Sequence, residues 1–261
     1  MSAKRYLMQE ITWPEFQERV GQEIIMLPTG SLEQHGPHLP LGVDVIIPTN
    51  LALRTAERLG QGIIAPALGY GYKSQPTSGG GPLFPGTTSF DGITLILALR
   101  DILRDLARQG ARKFLVFNGH YENVAFVTEA AELLIRDHNP DGDIKLVIVS
   151  WWDLISDEVS DACFSEIGFP GWDTEHAALV ETAMMRVFAP ELVRDDLVLD
   201  DQAERIPNYQ VFPPPADIIP ASGVLYKATY GTRERGEMIV DQVVDEIVAI
   251  ARREFVEGES A

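Results

Sequence analysis

The sequence has a single cysteine and contains no long apolar run. Cys163 has no second cysteine with which to form an intrachain disulfide, so no oxidising compartment is implied. We interpret it as a small buried thiol rather than a nucleophile. Residues 1–16 lack the apolar stretch of a secretory signal, and no segment approaches the length of a membrane span. These absences predict a cytoplasmic protein with no membrane partner.

Basic residues are also scarce. The chain has 21 Lys and Arg against 39 Asp and Glu, which gives a formal net charge of −18. A field of that sign repels phosphate backbones and therefore disfavours nucleic acid as a partner. It favours solubility and identifies no substrate. Hydrophobic residues make up 45% of the 261 positions, enough to bury a sizeable core.

Apolar runs typical of buried strands alternate along the chain with segments of helical spacing. The strand-like runs are 23–27, 62–67, 113–117 and 144–149, and the helical segments are 48–59, 93–108, 123–136, 175–188 and about 237–254. This alternation predicts one α/β domain over residues 1–261, a three-layer α/β/α arrangement with a mostly parallel central sheet. Residues 195–230 are rich in proline and lack periodicity, so we expect an irregular surface excursion there that could serve a subunit contact.

Polar motifs begin where the strands end. In parallel α/β sheets the carboxyl ends of the strands meet at one crevice. Glu33 and His35 are two residues apart after the first strand, so in an extended segment they point the same way. His120 and Glu122 repeat the arrangement in reverse order after the third strand, and Asp44 follows the first pair closely. The sequence therefore predicts a cluster of two histidines and three carboxylates.

This ligand set suits two divalent ions. Each ion would take one histidine and one glutamate, and Asp44 would bridge them, a mixture that fits Zn²⁺ or Mn²⁺. Two ions about 3.5–4 Å apart can hold a hydroxide and polarise a carbonyl together. A lone Glu-x-His pair occurs on many surfaces without a metal, but two glycine-flanked pairs at strand ends favour a site. We expect His38 to lie beside the site or face solvent, and His138 to be a structural residue at a helix end.

A further constellation lies at 171–176. Asp173 or Thr174 could simply cap the helix that we predict from Glu175. His176 would then occupy its first turn, where a positive charge is disfavoured, and a neutral imidazole suits proton transfer. Trp152 and Trp172 could sandwich a flat ligand, whereas we expect Trp151 to be a core residue. The loop at Ser78 could offer backbone N–H groups to an anion or carbonyl, but it lacks the lysine of a nucleotide-binding loop.

Taken together, these motifs resemble the creatininase (creatinine amidohydrolase) family over nearly the whole chain. The elements that carry the resemblance are 30–36 (GSLEQHG), 43–44 (VD), 70–75 (YGYKSQ), 78–81 (SGGG), 84–89 (FPGTTS), 118–123 (NGHYEN) and 171–176 (GWDTEH). The resemblance implies that Glu33, Asp44 and His120 hold one metal, and that His35, Asp44 and Glu122 hold the other. It also implies that Trp152 and Trp172 enclose the substrate, that His176 transfers a proton, and that the protein is a homohexamer.

The activity expected from the resemblance is reversible hydrolysis of the cyclic amide of creatinine to creatine by a metal-bridging hydroxide. His176 would protonate the departing ring nitrogen, with Glu122 and Glu175 as further catalytic groups. We expect Ser78, Tyr121, Trp152, Trp172 and Asp173 to contact the substrate. Pro37, Pro82–Leu83 and Ala177–Ala178 depart from the family pattern. The alternatives are a related hydrolase acting on another cyclic amide, a formamide or a ring ketone, and a metal-binding protein without catalysis.

Overall fold

A four-stranded parallel sheet forms the centre of the protein. The computed structural model describes residues 4–139, 141–202, 209, 211–215 and 217–256. Its strands are β1 (Ile25–Thr29), β2 (Ile63–Ile64), β3 (Lys113–Asn118) and β4 (Lys145–Ser150), in the order β2-β1-β3-β4. Every pairing between these strands is parallel. The predicted parallel α/β sheet is confirmed, and the carboxyl ends of its strands lie at one edge.

Helices cover both faces of this sheet. They are α1 (Trp13–Arg19), α2 (Val43–Leu59), α3 (Gly92–Arg108), α4 (Val124–His138), α5 (Asp157–Phe164), α6 (Leu179–Phe188) and α7 (Arg233–Phe255). Successive strand residues point to opposite faces. Accordingly, Met26 and Leu115 pack with α2, α5, α6 and α7, while Ile25 and Phe114 pack with α1, α3 and α4. The two apolar clusters define the predicted three layers.

Three helices begin at residues that differ from those predicted from the sequence pattern. Helix α2 begins at Val43, so Pro48 lies inside it rather than at its start. Helix α7 begins at Arg233, where the Thr232 hydroxyl accepts a hydrogen bond from the Arg235 N–H. Helix α6 begins at Leu179, four residues after the predicted start at Glu175. His176 therefore lies in the connection before α6 and not in its first turn, which corrects the helix-end argument for that residue.

The proline-rich segment is irregular, but it does not stay at the surface. In the described part of 195–230 the chain forms short 3-10 turns at Asp195–Leu197 and Ala228–Tyr230. Val224 and Leu225 are nonetheless buried, and the Leu225 N–H donates to the His176 carbonyl at 3.1 Å. One corner of the segment thus packs against the connection that carries His176. None of the helices described is long and apolar enough to span a bilayer.

Candidate active site

Asp44 reaches the strand ends because two glycines let the backbones approach closely. A Cβ atom on Gly30 would lie 2.2 Å from the Asp44 carbonyl oxygen, and one on Gly119 would lie 2.3 Å from it. Within a helix that oxygen would accept from the N–H four residues later, but residue 48 is proline and has no N–H. The loops after β1 and β3 therefore pack directly on the first turn of α2, where Asp44 is buried.

The two carboxylate oxygens of Asp44 face two different histidines. Oδ2 lies 3.0 Å from His120 Nδ1, and Oδ1 lies 3.1 Å from His35 Nε2. Each histidine also meets a glutamate: Glu33 Oε2 lies 3.3 Å from His120 Nδ1, and Glu181 Oε1 lies 3.5 Å from His35 Nε2. The result includes two adjoining sets of three ligand atoms that share Asp44, and a third group, Glu33, His35 and His176, overlaps both of them. This geometry is that of a pair of metal sites with a bridging carboxylate.

The unused lone pairs of the cluster fit divalent cations. Glu33 Oε2, Asp44 Oδ2 and His35 Nε2 are buried and have no hydrogen-bond partner among the described residues. Such atoms are costly unless a cation or proton satisfies them. Both histidines also have a fixed tautomer: the outer nitrogen of His35 (Nδ1) donates to the Glu33 carbonyl at 3.2 Å, and that of His120 (Nε2) donates to the Tyr72 carbonyl at 3.1 Å. The inner nitrogens are thereby left as ligands.

The ionisation of the cluster shows how strongly its charges interact. Burial raises the pKa of Glu33 to about 8, although His120 opposes the shift. Burial disfavours the imidazolium of His120, but Glu122 and Glu33 outweigh it and raise its pKa to about 10. Burial also opposes ionisation of Asp44, yet His35 and His120 lower the pKa of this carboxyl. Without a metal the cluster retains protons that bound cations would displace.

Glu122, which the resemblance assigns to the second metal, lies outside these ligand sets. Its Oε2 lies 3.3 Å from the outer nitrogen of His120. Its Oε1 accepts from the Gln75 N–H at 3.0 Å and from the Ser78 hydroxyl. Glu181 of α6 occupies the corresponding place beside His35, and our sequence analysis did not identify it. The signal for it was a lone carboxylate in the apolar run from Ala177 to Met185.

The predicted site residues surround one cleft. All of them except His35 line the cleft, which opens over the metal-ligand cluster: Glu33, Asp44, Ser78, His120, Tyr121, Glu122, Trp152, Trp172, Asp173, Glu175 and His176. Trp151 and Glu181 line it as well. The Trp152 ring lies 5.7 Å from that of Tyr121. The cleft therefore combines aromatic walls with a polar, ligand-rich floor, as small-molecule sites do.

His176 and Glu175 have different surroundings despite being neighbours. Nδ1 of His176 lies 3.2 Å from Glu33 Oε1, and burial lowers the pKa of the imidazole to about 4. Glu175 is buried, and its Oε1 accepts from the Val180 N–H at 2.8 Å at the start of α6. Burial raises the pKa of Glu175 to about 8, and the nearby Glu181 adds to the shift. One carboxylate oxygen of Glu175 thus stabilises a helix end.

The positions that depart from the family pattern do not line the cleft. Pro37, Pro82 and Leu83 are exposed. Ala177 is buried and has a φ of 51°, the left-handed region that favours glycine, and no other non-glycine among the described residues has a positive φ. Its N–H donates to Glu181 Oε2 at 2.7 Å, which directs the other oxygen of Glu181 toward His35.

The remaining expectations have mixed outcomes. His38 does not face solvent: it is buried, and its Nε2 lies 2.9 Å from the Thr182 hydroxyl. His138 is the last residue of α4, as expected. Trp151 is buried in the core cluster, as expected, although it also borders the cleft. Cys163 is a buried free thiol, and burial raises its pKa to about 11.

An α/β fold with these ligand sets at its strand ends defines a metal-binding hydrolase. The chain belongs to the creatininase family, whose model, described as creatinine amidohydrolase, matches residues 9–251. The creatinine amidohydrolase of Pseudomonas putida is 44% identical over 97% of this chain and 98% of that protein. A mycofactocin precursor peptide peptidase of Mycobacterium ulcerans is 31% identical over 92% and 86%.

Solved structures agree with this assignment. A crystal structure of creatininase superposes with a TM-score of 0.93 at 43% identity, and the match covers 97% of this chain and 99% of that one. Two further creatininase structures, one described as a Zn–Zn type of a Glu-to-Gln mutant and one as the Mn form, each match with a TM-score of 0.92. At 44% identity, each covers 97% of this chain and 100% of its own.

Proposed function

We propose that this enzyme hydrolyses the ring amide of creatinine to creatine, reversibly, with two divalent ions per subunit. The observation that carries the proposal is the pair of ligand sets sharing Asp44 beneath an aromatic cleft. The Pseudomonas putida relative is a creatinine amidohydrolase, and a Glu-to-Gln mutant of creatininase has been solved in complex with creatine. The departures from the family pattern lie off the cleft lining, which supports retention of the same substrate.

The residues divide between the two ions in a simple way. Glu33, Asp44 and His120 would hold one ion, and His35, Asp44 and Glu181 would hold the other. Zn²⁺ and Mn²⁺ both accept such mixed nitrogen and oxygen donors. When bound, the ions would supply Lewis acidity and lower the pKa of the hydrolytic water. Glu122 would keep the outer nitrogen of His120 hydrogen-bonded and so orient the inner one.

The side chains around the cluster would bind the substrate and move its protons. Trp152 and Trp172 would enclose the flat ring, and Tyr121 would cover its open side, since half of its side chain is exposed. Ser78 and Asp173 would contact the polar edge of the ring. Hydrolysis adds water across the ring C–N bond, so the departing nitrogen must gain a proton. His176 is placed to deliver it, because its Nδ1 lies 3.2 Å from Glu33 of the ligand cluster and its lowered pKa makes the protonated imidazole a strong proton donor.

The domain organisation, the cellular location and the oligomeric state can be tested separately from the reaction. We infer one domain over residues 1–261, a cytoplasmic location and a homohexamer, the last by family resemblance. An apolar groove beside the cleft, lined by Tyr121, Val124, Phe212 and Pro214, supports self-association. Analytical ultracentrifugation of the purified protein would decide the oligomeric state, and a monomer would refute the hexamer.

The deciding experiment measures creatine formation from creatinine by the purified enzyme after chelation and after adding back Zn²⁺ or Mn²⁺. We expect activity to disappear on chelation and to return with the metal, and we expect the Asp44→Asn variant to stay inactive under both conditions. Bound metal without turnover of creatinine would refute the substrate. It would move the search to other cyclic amides, formamides and ring ketones, to be screened with the same preparation.

A further inference from the structure

His38 connects the loop after β1 to helix α6. Its side chain is buried, and its Nε2 lies 2.9 Å from the hydroxyl of Thr182, which is also buried. A hydroxyl can both donate and accept, so this hydrogen bond forms with either tautomer of the imidazole. The main-chain carbonyl of His38 accepts from the Arg194 N–H at 2.8 Å. The first turn of α6 and the chain that follows the helix are therefore tied to one loop residue.

The hydrogen bond between His38 and Thr182 runs beside a contact between two metal ligands. Thr182 directly follows Glu181 in the sequence, and His38 is in the same loop as His35. Glu181 Oε1 and His35 Nε2 are 3.5 Å apart and belong to one ligand set. The His38 ring packs close to this part of the loop, because a Cβ on Gly36 would lie 3.0 Å from His38 Nδ1. The bond therefore joins the same two segments that supply the ligands.

Helix α6 is held on its other side by close backbone packing. A Cβ on Gly231 would lie 2.7 Å from Thr182 Cβ, and one on Gly236, within α7, would lie 2.1 Å from the Ala183 carbonyl oxygen. Arg186 Nη1 donates to the Gly231 carbonyl at 2.7 Å. Without its bond to His38, α6 would stay fixed to α7 but would be free to shift relative to the loop after β1.

A shift of this kind would separate Glu181 from His35. A metal ion binds nitrogen and oxygen donors at about 2.0–2.2 Å, so the donor atoms must keep their positions closely. The Ala177 N–H donates to Glu181 Oε2 at 2.7 Å, but Ala177 lies in the connection that leads into α6. That contact orients the carboxylate relative to α6 and does not anchor it to the loop that carries His35. The bond between His38 and Thr182 supplies this anchor.

His38 makes this bond although its other ring nitrogen is unsatisfied. Nδ1 is buried and has no hydrogen-bond partner among the residues that the structure describes. A buried polar nitrogen without a partner costs free energy. Stability alone therefore does not account for an imidazole at this position, whereas a role for Nε2 in holding α6 does.

We propose that His38 and Thr182 are positioning residues for the ion beside His35: their hydrogen bond holds the first turn of α6 against the loop after β1, so that Glu181 and His35 reach the same ion. Neither residue belongs to a ligand set. The inference rests on the two-ion site of the proposed function and not on its substrate.

The test compares the metal affinity of Thr182→Val with that of Thr182→Ser. Valine keeps the shape of threonine without its hydroxyl, whereas serine keeps the hydroxyl. Titration of the metal-depleted, full-length protein with Zn²⁺ against a competing chelator gives a Kd for each ion. We expect Thr182→Val to weaken one ion about 10- to 100-fold and to change the other less than about threefold. Thr182→Ser should restore both affinities.

A matched control comes from helix α2. Thr55 is as buried as Thr182, but its hydroxyl has no hydrogen-bond partner among the described residues. Thr55→Val should therefore keep the wild-type affinity for both ions. A loss of affinity in this control would show that removal of a buried hydroxyl weakens the site without any role for the bond to His38.

Two combined variants assign the effect to one bond and to one ion. His38→Leu should weaken the same ion as Thr182→Val, and the double variant should weaken it no further, because both changes remove one hydrogen bond. In a Glu181→Gln background the ion beside His35 is already lost, so Thr182→Val should leave the affinity for the remaining ion unchanged. Additive losses in the first case, or a weaker remaining ion in the second, would contradict the proposal.

The outcomes separate this inference from the proposed function. Wild-type affinity for both ions in Thr182→Val would overturn the inference, and so would an equal loss of both ions, which a general loss of structure produces. A selective loss in a protein that binds two ions but does not hydrolyse creatinine would uphold the positioning role and refute only the substrate. A wild-type protein that binds a single ion would refute both.

Discussion

Substitution of Glu181 by glutamine should remove one of the two ions and leave the other. Glu181 belongs to the ligand set with His35 and not to the set with His120. Glu33 belongs to the set with His120 and also to a group with His35 and His176. Loss of one of three protein ligands should weaken that ion at least about 100-fold, since changes even to outer-shell partners cost 10–100-fold. An ion at about 1,000 times its Kd contributes about 4 kcal/mol of stability, of which about 1.4 would remain. The loss of nearly 3 kcal/mol corresponds to roughly 5–10 °C in Tm for a chain of this size.

The assay is metal content by mass spectrometry after dialysis against limiting free Zn²⁺, together with thermal unfolding. Glu33→Gln should lose the other ion, Asp44→Asn should lose both, and Glu122→Gln should keep both because its carboxylate lies on the outer side of His120. The reasoning is refuted if Glu181→Gln retains two ions with wild-type affinity, or if Glu122→Gln loses the ion beside His35.

Three further predictions concern other parts of the site and core. Gly79→Ala would place a Cβ 2.1 Å from Glu33 Oε1 and 2.4 Å from the Ser74 hydroxyl. The variant should therefore lose the ion held by His120, which a measurement of metal content would detect. The control Gly42→Ala, whose Cβ would lie 3.9 Å from its nearest neighbour, should keep that ion. Burial raises the pKa of Glu175 to about 8 from 4.5. The contribution of protonated Glu175 to the free energy of unfolding is therefore complete below about pH 4.5 and is lost as the pH rises through 8. Urea unfolding of the metal-depleted protein should therefore lose up to a few kcal/mol over that range, and an equally steep loss in Glu175→Gln would contradict this origin. Cys163 is buried with a pKa raised to about 11, so a maleimide at pH 7 should label it only after unfolding, and rapid labelling of the native enzyme would disprove its inertness.

The strand ends and the motifs after them could be predicted because they depend on local pattern. Apolar runs of strand length that stop at glycine or proline indicate β1 and β3, and parallel topology then brings Glu33, His35 and His120 together. The same logic placed Trp152, which follows the fourth strand, near the crevice, and it lines the cleft. Ser78 also lines the cleft, but its role was implied by the family resemblance and not by a strand end. The convergence of the ligands and the position of Trp152 follow from the hydrophobic periodicity and from the parallel topology that it predicts, and a single sequence contains that information.

Glu181 could not be placed in this way, because helix α6 is buried along most of its length and offers no polar face from which to assign its direction. The start of α2 also differs from the predicted one: helical spacing indicates a helix from Pro48, whereas the helix begins at Val43. The actual start depends on Gly30 and Gly119 packing against the carbonyl that Pro48 leaves free. That is a contact between segments distant in sequence, which local pattern does not contain.

The order of the ligands along the chain has a consequence for biosynthesis. Glu33, Asp44 and His120 all precede α5, so the donors of one ion have left the ribosome before α6 is made. The other set is incomplete until Glu181 has been translated and α6 has docked on α2 and α7. The two ligand sets are therefore not equivalent during synthesis: all three donors of the set with His120 lie in the first half of the polypeptide, whereas the set with His35 is complete only once α6 is in place.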